Sequence, residues 1–405
     1  MRVASFVVVS AIAVTVAGCR GETHRASRNA AAASSCTPDS LRAGVGEVLQ
    51  AMHRRNPVPG ISVALFVPGA WREPLSVTVG TTHIEGGRQL RPDDKFLAGS
   101  VGKTFFAALA LREASAGRLD LDQAVAMHLD ATGIPALQWI TPRMLLTHRS
   151  GIGEYDGVFM ESLVREPSRV RVIADWLDVL RRTPPLRADT GKVRYSDVNF
   201  VLVAMLLDAT VPEGAYAGIT RDFLRPLHLD GTIPSVTPHL AGLVPGYDGT
   251  RSLFGRDAMM RGDSLVYNPQ FEWGGGGFAS TPSDLARWMA AFRLGGAFPD
   301  TLWPIVVARP AGVPDTSQRW SGLGIDVNHG ALGATFEHSG YMPGYVSWMR
   351  WYESLGASIA LQANASDTLR LKDDGYAWAD SLAALLLRAC VTHSAQATGQ
   401  ARAPH

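Results

Sequence analysis

Lysine is scarce in this sequence. Of 38 basic residues in 405, only Lys95, Lys103, Lys192 and Lys372 are lysine, and the rest are arginine. Arginine keeps its charge and cannot accept a proton, so chemistry that needs a basic amine has four candidates. Net charge is scarce too. The formal value is +1, and no basic stripe with interleaved aromatics occurs, which leaves no electrostatic case for nucleic acid. Cysteine is confined to Cys19, Cys36 and Cys390. His53, His83, His128 and His393 lack metal-ligand spacing, so neither a metal nor another cofactor is expected. There is no internal repeat and no Gly-x-Ser-x-Gly turn, which argues against an α/β-hydrolase.

What is present is an ordinary globular composition, 46% hydrophobic and 19% charged, long enough for one large core or two smaller ones. Residues 1–19 read as a targeting segment. Arg2 gives a positive start, and the apolar run from Val3 to Ala17 is short of the roughly 20 residues that span a bilayer. It ends in Val16-Ala17-Gly18-Cys19, which resembles a bacterial lipobox. Lipid on Cys19 would hold the protein at the cell envelope, on the periplasmic or outer surface, by a membrane contact through its N-terminus. An ordinary cleaved signal and an uncleaved anchor are the alternatives. Residues 20–35 read as a flexible tether, 36–393 as the folded domain and 394–405 as a disordered tail. With Cys19 lipidated, Cys36 and Cys390 form an even pair in an oxidising compartment. A disulfide between them and two unpaired thiols are both open.

Along the folded part, "TPDSLRAGVGEVLQAMHRR" carries helix signals: Thr37 as cap, Pro38 first and Arg54-Arg55 last. "ISVALFV" and "LSVTVG" are strand-like, and so are "GLGIDVN", "ATFEHSG", "YVSWMRWY" and "ASIALQANA" near the other end. A final helix follows from Tyr376. Between the strand groups lies a mostly helical stretch at about residues 120–260. These patterns predict an α+β fold. An antiparallel sheet is built from both chain ends, flanked by helices and interrupted by a helical subdomain.

One stretch, "FLAGSVGKTFFAALAL", carries two competing motifs. Gly102-Lys103-Thr104 resembles the end of a phosphate loop, but the position five before Gly102 is Leu97 where that loop needs Gly. Ser100-Val101-Gly102-Lys103 is the other reading, a Ser-x-x-Lys. At the start of a helix the two side chains lie one turn apart on one face. A serine hydroxyl needs a neighbour to take its proton. Lysine does so once burial lowers its pKa, which is the expectation for Lys103.

Two further elements follow in order: "YSDVNF", with Tyr195 and Asp197, and "EHSGYMPGY", with His338, Ser339, Gly340 and Tyr341. Together the three resemble the serine β-lactamase and DD-peptidase superfamily, whose motifs are Ser-x-x-Lys, Tyr-x-Asn and Lys/His-x-Gly. The likeness is to its branch of class C β-lactamases, D-alanyl-D-alanine carboxypeptidases and related esterases. It covers about residues 37–393 and includes "VPGISVAL", "ITPRMLLTHRSGI" and "GGGGFASTPSDLARW".

The resemblance implies that Ser100 is the acylated nucleophile, Lys103 its proton acceptor or electrostatic activator, and Tyr195 a proton shuttle. It implies an oxyanion hole from the N–H groups of Ser100 and Tyr341, with Ser339 and Gly340 at the substrate. His338 would bind a substrate carboxylate when protonated or polarise Tyr195 when neutral. Asp197 replaces an amide-recognising Asn, so recognition is altered, or the acid is protonated or paired with Lys103. The expected activity is D-alanyl-D-alanine carboxypeptidase-like hydrolysis of cell-wall peptides. The alternatives are an esterase, a class C-like β-lactamase, and a penicillin-binding sensor or scaffold without turnover. The implied partners are a small peptide, ester or β-lactam, and peptidoglycan.

Overall fold

The two ends of the chain meet in one sheet. In the computed structural model, which describes residues 37–399, strand β1 (Gly60–Phe66) lies between β2 (Leu75–Gly80) and β10 (Ala357–Ala363), with Ser62 opposite Gln362 and opposite Thr78. The sheet continues through β9 (Tyr345–Tyr352), β8 (Gly333–Met342), β7 (Asp326–Gly330) and β6 (Arg319–Ser321), antiparallel throughout. A smaller sheet joins β3 (Phe96–Leu97), β5 (Phe278–Ser280) and β4 (Ile233–Pro234). The expected α+β architecture is present. β6 is an addition, because three residues of "RWS" carry no readable alternation.

Burial on both faces explains the apolar strands. Along β9, Val346, Trp348 and Tyr352 face one core, while Tyr345, Met349 and Trp351 face the other, as a period of two requires. The first core is closed by α1 (Pro38–Arg55), through Leu41, Val45 and Leu49, and by α5 (Gly375–Gly399), through Trp378, Leu382 and Leu386. Thr37 caps α1, its Oγ1 accepting from the Ser40 N–H at 3.4 Å. The second core holds α2 (Lys103–Ser115), α3 (Asp197–Thr210) and α4 (Pro282–Arg293). Helix α2 is apolar on all sides and buried accordingly, with Phe105 stacked on Trp288 at 4.1 Å.

Helix α5 runs through residues 394–399, which the sequence had assigned to the tail; Ala- and Gln-containing "SAQATG" can continue a helix once one is established. Cys390 is disulfide-bonded. Cys19, Cys36, the targeting segment and the tether lie outside the described residues.

Candidate active site

Ser100 lies in a 3-10 turn, Gly99–Gly102, which feeds directly into α2 at Lys103. The turn is pinned between two backbones. Gly99 takes φ 54°, and a Cβ there would lie 2.6 Å from the Tyr341 nitrogen. A Cβ on Gly102 would lie 2.1 Å from the Gly276 carbonyl oxygen. On the facing strand β8, a Cβ on Gly340 would sit 3.0 Å from the Ser100 nitrogen. Close approach at these glycines therefore sets the backbone of Ser100 beside that of Gly340-Tyr341.

Lys103 is fully buried and donates three hydrogen bonds: to Ser100 Oγ at 2.8 Å, to Asp197 Oδ1 at 2.5 Å, and to the Gly275 carbonyl. The sequence expectation was a lysine whose pKa is lowered by burial. Burial does act in that direction, but the charge of Asp197 leads the causes that outweigh it, with its hydrogen bond adding, and the ammonium is held above its ordinary value. The correction follows from chain segments that sequence spacing does not bring together.

Tyr195 precedes α3, whose cap is Ser196. Its ring is open to the cleft, 48% exposed, while its hydroxyl is within hydrogen-bonding reach of Ser100 and Lys103. Burial of that hydroxyl is the main cause raising the phenol to about 12, so it is neutral at ordinary pH. The ring stacks on His148 at 4.2 Å. His148 is buried, with φ 53°, and its Nδ1 accepts from the Ser196 N–H at 3.3 Å. It is a hydrogen-bonding loop residue that also supports the phenol.

His338 is buried on β8. Its Nδ1 lies 2.7 Å from the Ser339 carbonyl oxygen, which can only accept, so Nδ1 carries the proton and Nε2 the lone pair. Burial holds this imidazole below its ordinary value, against the Asp326 charge. Ser339 and Tyr341 point outward, Tyr341 with 55% exposure and its hydroxyl donating to Asp248 Oδ1 at 3.3 Å. Met342 and Tyr345, which follow on the same hairpin, belong to the core. The Tyr345 hydroxyl donates to the Val244 carbonyl at 2.7 Å.

Two acids escaped the sequence reading. Glu272 is buried on the glycine-rich loop, its Oε2 3.0 Å from where a Gly275 Cβ would sit; Asp197 Cγ is 3.5 Å from that same point. Burial, with the Asp197 charge adding, pushes the Glu272 carboxyl well above its ordinary value. Glu154 accepts from the Asp197 N–H and the Tyr155 N–H, each at 2.9 Å. Burial of its carboxyl and the Asp197 charge raise its pKa, although the residue keeps an exposed side. Single acids in loops have no periodicity to announce them. The run of glycines after Glu272 was the available signal, since glycine marks a place where something packs closely against backbone.

The fold is of the β-lactamase and transpeptidase type, and the three sequence motifs converge within it. The sequence model of the β-lactamase family matches residues 45–383, and the chain belongs to that family. It is 23% identical over 361 residues to an unguisins hydrolase of Aspergillus campestris, covering 81% of this chain and 62% of that protein. It is 34% identical over 194 residues to penicillin-binding protein 4 of Amycolatopsis lactamdurans, 46% of this chain and 48% of that one. The chain therefore matches less than two thirds of either relative's length. Among solved structures, the D-amino acid amidase of Ochrobactrum anthropi SV3 with L-phenylalanine amide superposes with TM-score 0.71 at 20% identity, over 88% of this chain and 99% of that one. A D-stereospecific amidohydrolase from Streptomyces gives 0.68 at 23% identity, over 82% and 97%. These two likenesses show the fold.

Proposed function

We propose that the protein hydrolyses amide bonds through an acyl-enzyme, with substrates that carry a free ammonium near the scissile carbonyl. The observation that carries this reading is the 2.8 Å contact of Ser100 Oγ with Lys103 Nζ, in a cleft that also holds a neutral phenol. Ser100 Oγ attacks the carbonyl carbon. The N–H groups of Ser100 and Tyr341 receive the oxyanion, and the strand edge at Ser339 and Gly340 aligns the substrate. Tyr195 passes a proton to the leaving amine and later takes one from water.

Charge supports the choice of substrate. A terminal carboxylate calls for a cation in the cleft, and His338 offers a neutral ring instead. Asp197 bonds Lys103 beside the nucleophile, Glu154 accepts from the Asp197 N–H, and this pair of acids favours an amine. The names of the two structural neighbours suggest D-amino acid amides as first substrates. The second reading is D-alanyl-D-alanine carboxypeptidase activity on cell-wall peptides, favoured by the similarity to a penicillin-binding protein. An esterase or a class C-like β-lactamase would use the same acylation, and a penicillin-binding sensor would stop there. The lipobox-like segment supports export, anchoring at Cys19 and a place beside peptidoglycan.

The test offers D- and L-phenylalanine amide, a peptide ending in D-Ala-D-Ala and a fluorescent penicillin to the wild type and to Ser100→Ala. Ammonia release from the D-amide in the wild type alone is the expected result. Release of D-alanine without amidase activity selects the carboxypeptidase, and activity retained by Ser100→Ala removes the acyl-enzyme altogether.

A further inference from the structure

The three hydrogen bonds of Lys103 raise a difficulty that also suggests its solution. An ammonium has three protons and no lone pair. Here all three are directed at acceptors, one of them the hydroxyl that the lysine is supposed to deprotonate. Before it can act as a base, Lys103 must give a proton away. A peptide carbonyl cannot keep one, and a serine hydroxyl that received it would no longer be a nucleophile. Only Asp197, at 2.5 Å, is an acceptor able to hold it.

We propose that Asp197 is the resting place of the catalytic proton, so that the serine proton travels through Lys103 to Asp197 rather than stopping on the lysine. This rests on the hydrolase reading above and deepens it. In the first step the Ser100 O–H bond breaks as Oγ bonds to the substrate carbon. Lys103 gains that proton and passes one of its own to Asp197 Oδ1, while the carbonyl oxygen takes the negative charge. In the second step the carbon–nitrogen bond breaks. The leaving amine takes the Tyr195 proton, Tyr195 is refilled from Lys103, and Lys103 from Asp197. The net transfer is one proton from serine to amine, and every side chain returns to its starting state.

The surroundings favour this route. A substrate that closes the cleft removes water from an ion pair, and both charged partners lose by it. Moving the proton to Asp197 removes the carboxylate charge, and the ammonium that remains faces the new oxyanion. The groups facing the pair are Tyr195 ahead of α3, Glu154 and Tyr155 on their loop, Glu272 on the glycine loop, and His148 and His338. The Glu272 carboxyl is pushed well above its ordinary value by burial, with the Asp197 charge adding. An Asn at 197 could accept the lysine hydrogen bond but could not hold the proton.

The test is the pre-steady-state burst of p-nitrophenolate from p-nitrophenyl acetate in the wild type and in Asp197→Asn, across pH 7 to 10. Asp197→Asn should slow acylation by about 100-fold or more at pH 7, the usual worth of a positioned proton transfer. The deficit should shrink as pH rises, because a buried lysine without its carboxylate loses its proton to solvent. A deficit equal at every pH would mean a purely structural part for Asp197 and would overturn the proposal, as would a wild-type rate at pH 7. Should the variant not fold, the wild-type burst in mixtures of light and heavy water decides. A bowed dependence reports two protons in flight and supports the relay; a straight line reports one and rejects it. No burst and no adduct at Ser100 in the wild type would be a failure of the hydrolase reading itself.

Discussion

Single buried acids set much of how this protein responds to pH. Asp284, in the first turn of α4, is buried, with its carboxyl accepting from Thr232 Oγ1 at 2.9 Å. Burial lifts its pKa from 3.8 to about 6. The folded state therefore binds this proton more tightly than the unfolded chain does. The stabilisation is complete below about pH 4 and is lost as pH rises through 6, a change of roughly 3 kcal/mol from this group. Urea unfolding at pH 4.5 and 7.5 should show that part of the pH dependence vanishing in Asp284→Asn. The histidines act in the opposite sense. His148 and His338 are depressed by burial, so their contribution is present above about 6.5 and fades as pH falls below it. At this scale the sequence revealed reactive groups through their motif neighbours, as with Ser100 and Lys103. It could not reveal their charge states, because Asp197, 94 positions from Lys103, decides whether the amine is an ammonium.

The turn Gly99–Gly102 shows how secondary structure is recruited to chemistry. It places Ser100 one turn before Lys103, and it does so only because Gly276 packs against Gly102 at backbone distance. Gly102→Ala puts a methyl group into the Gly276 carbonyl. The expected result is loss of at least about 1–3 kcal/mol of stability, as for an overfilled core, together with loss of penicillin or ester acylation. Thermal unfolding and adduct formation check the two halves of this expectation. The long strands and the capped helix α1 were legible, since β-branched runs and a Thr-Pro start are local signals. The glycine stretch was legible as part of a family resemblance but not as the wall that holds Glu272 against Asp197. Its meaning depends on which element lies opposite, and that is a tertiary fact.

For the molecule as a whole, the sheet joins early and late strands of the described residues, while the proposed catalytic groups lie between the sheet and the helical part. The strand groups at both ends made this architecture readable, and the ordered motifs made the site readable. The acidic balance of the cleft, which argues about substrate, became visible only once Glu154 and Glu272 could be placed. The proposed attachment to a membrane rests on Cys19, outside the described residues. In a bacterial host, Cys19→Ala should move the protein from the detergent phase to the aqueous phase of a Triton X-114 partition; an unchanged distribution would argue against lipid on that residue. The pairing of Ser62 with Gln362 has another consequence. A ribosome must finish almost the entire polypeptide before the central strand β1 meets its second neighbour, so nascent fragments lack the scaffold that brings Tyr341 to Ser100. Such wide separation of partners slows folding; under the proposed export it would leave the chain loose enough to pass a translocation pore, with its serine hydroxyl idle until it had crossed.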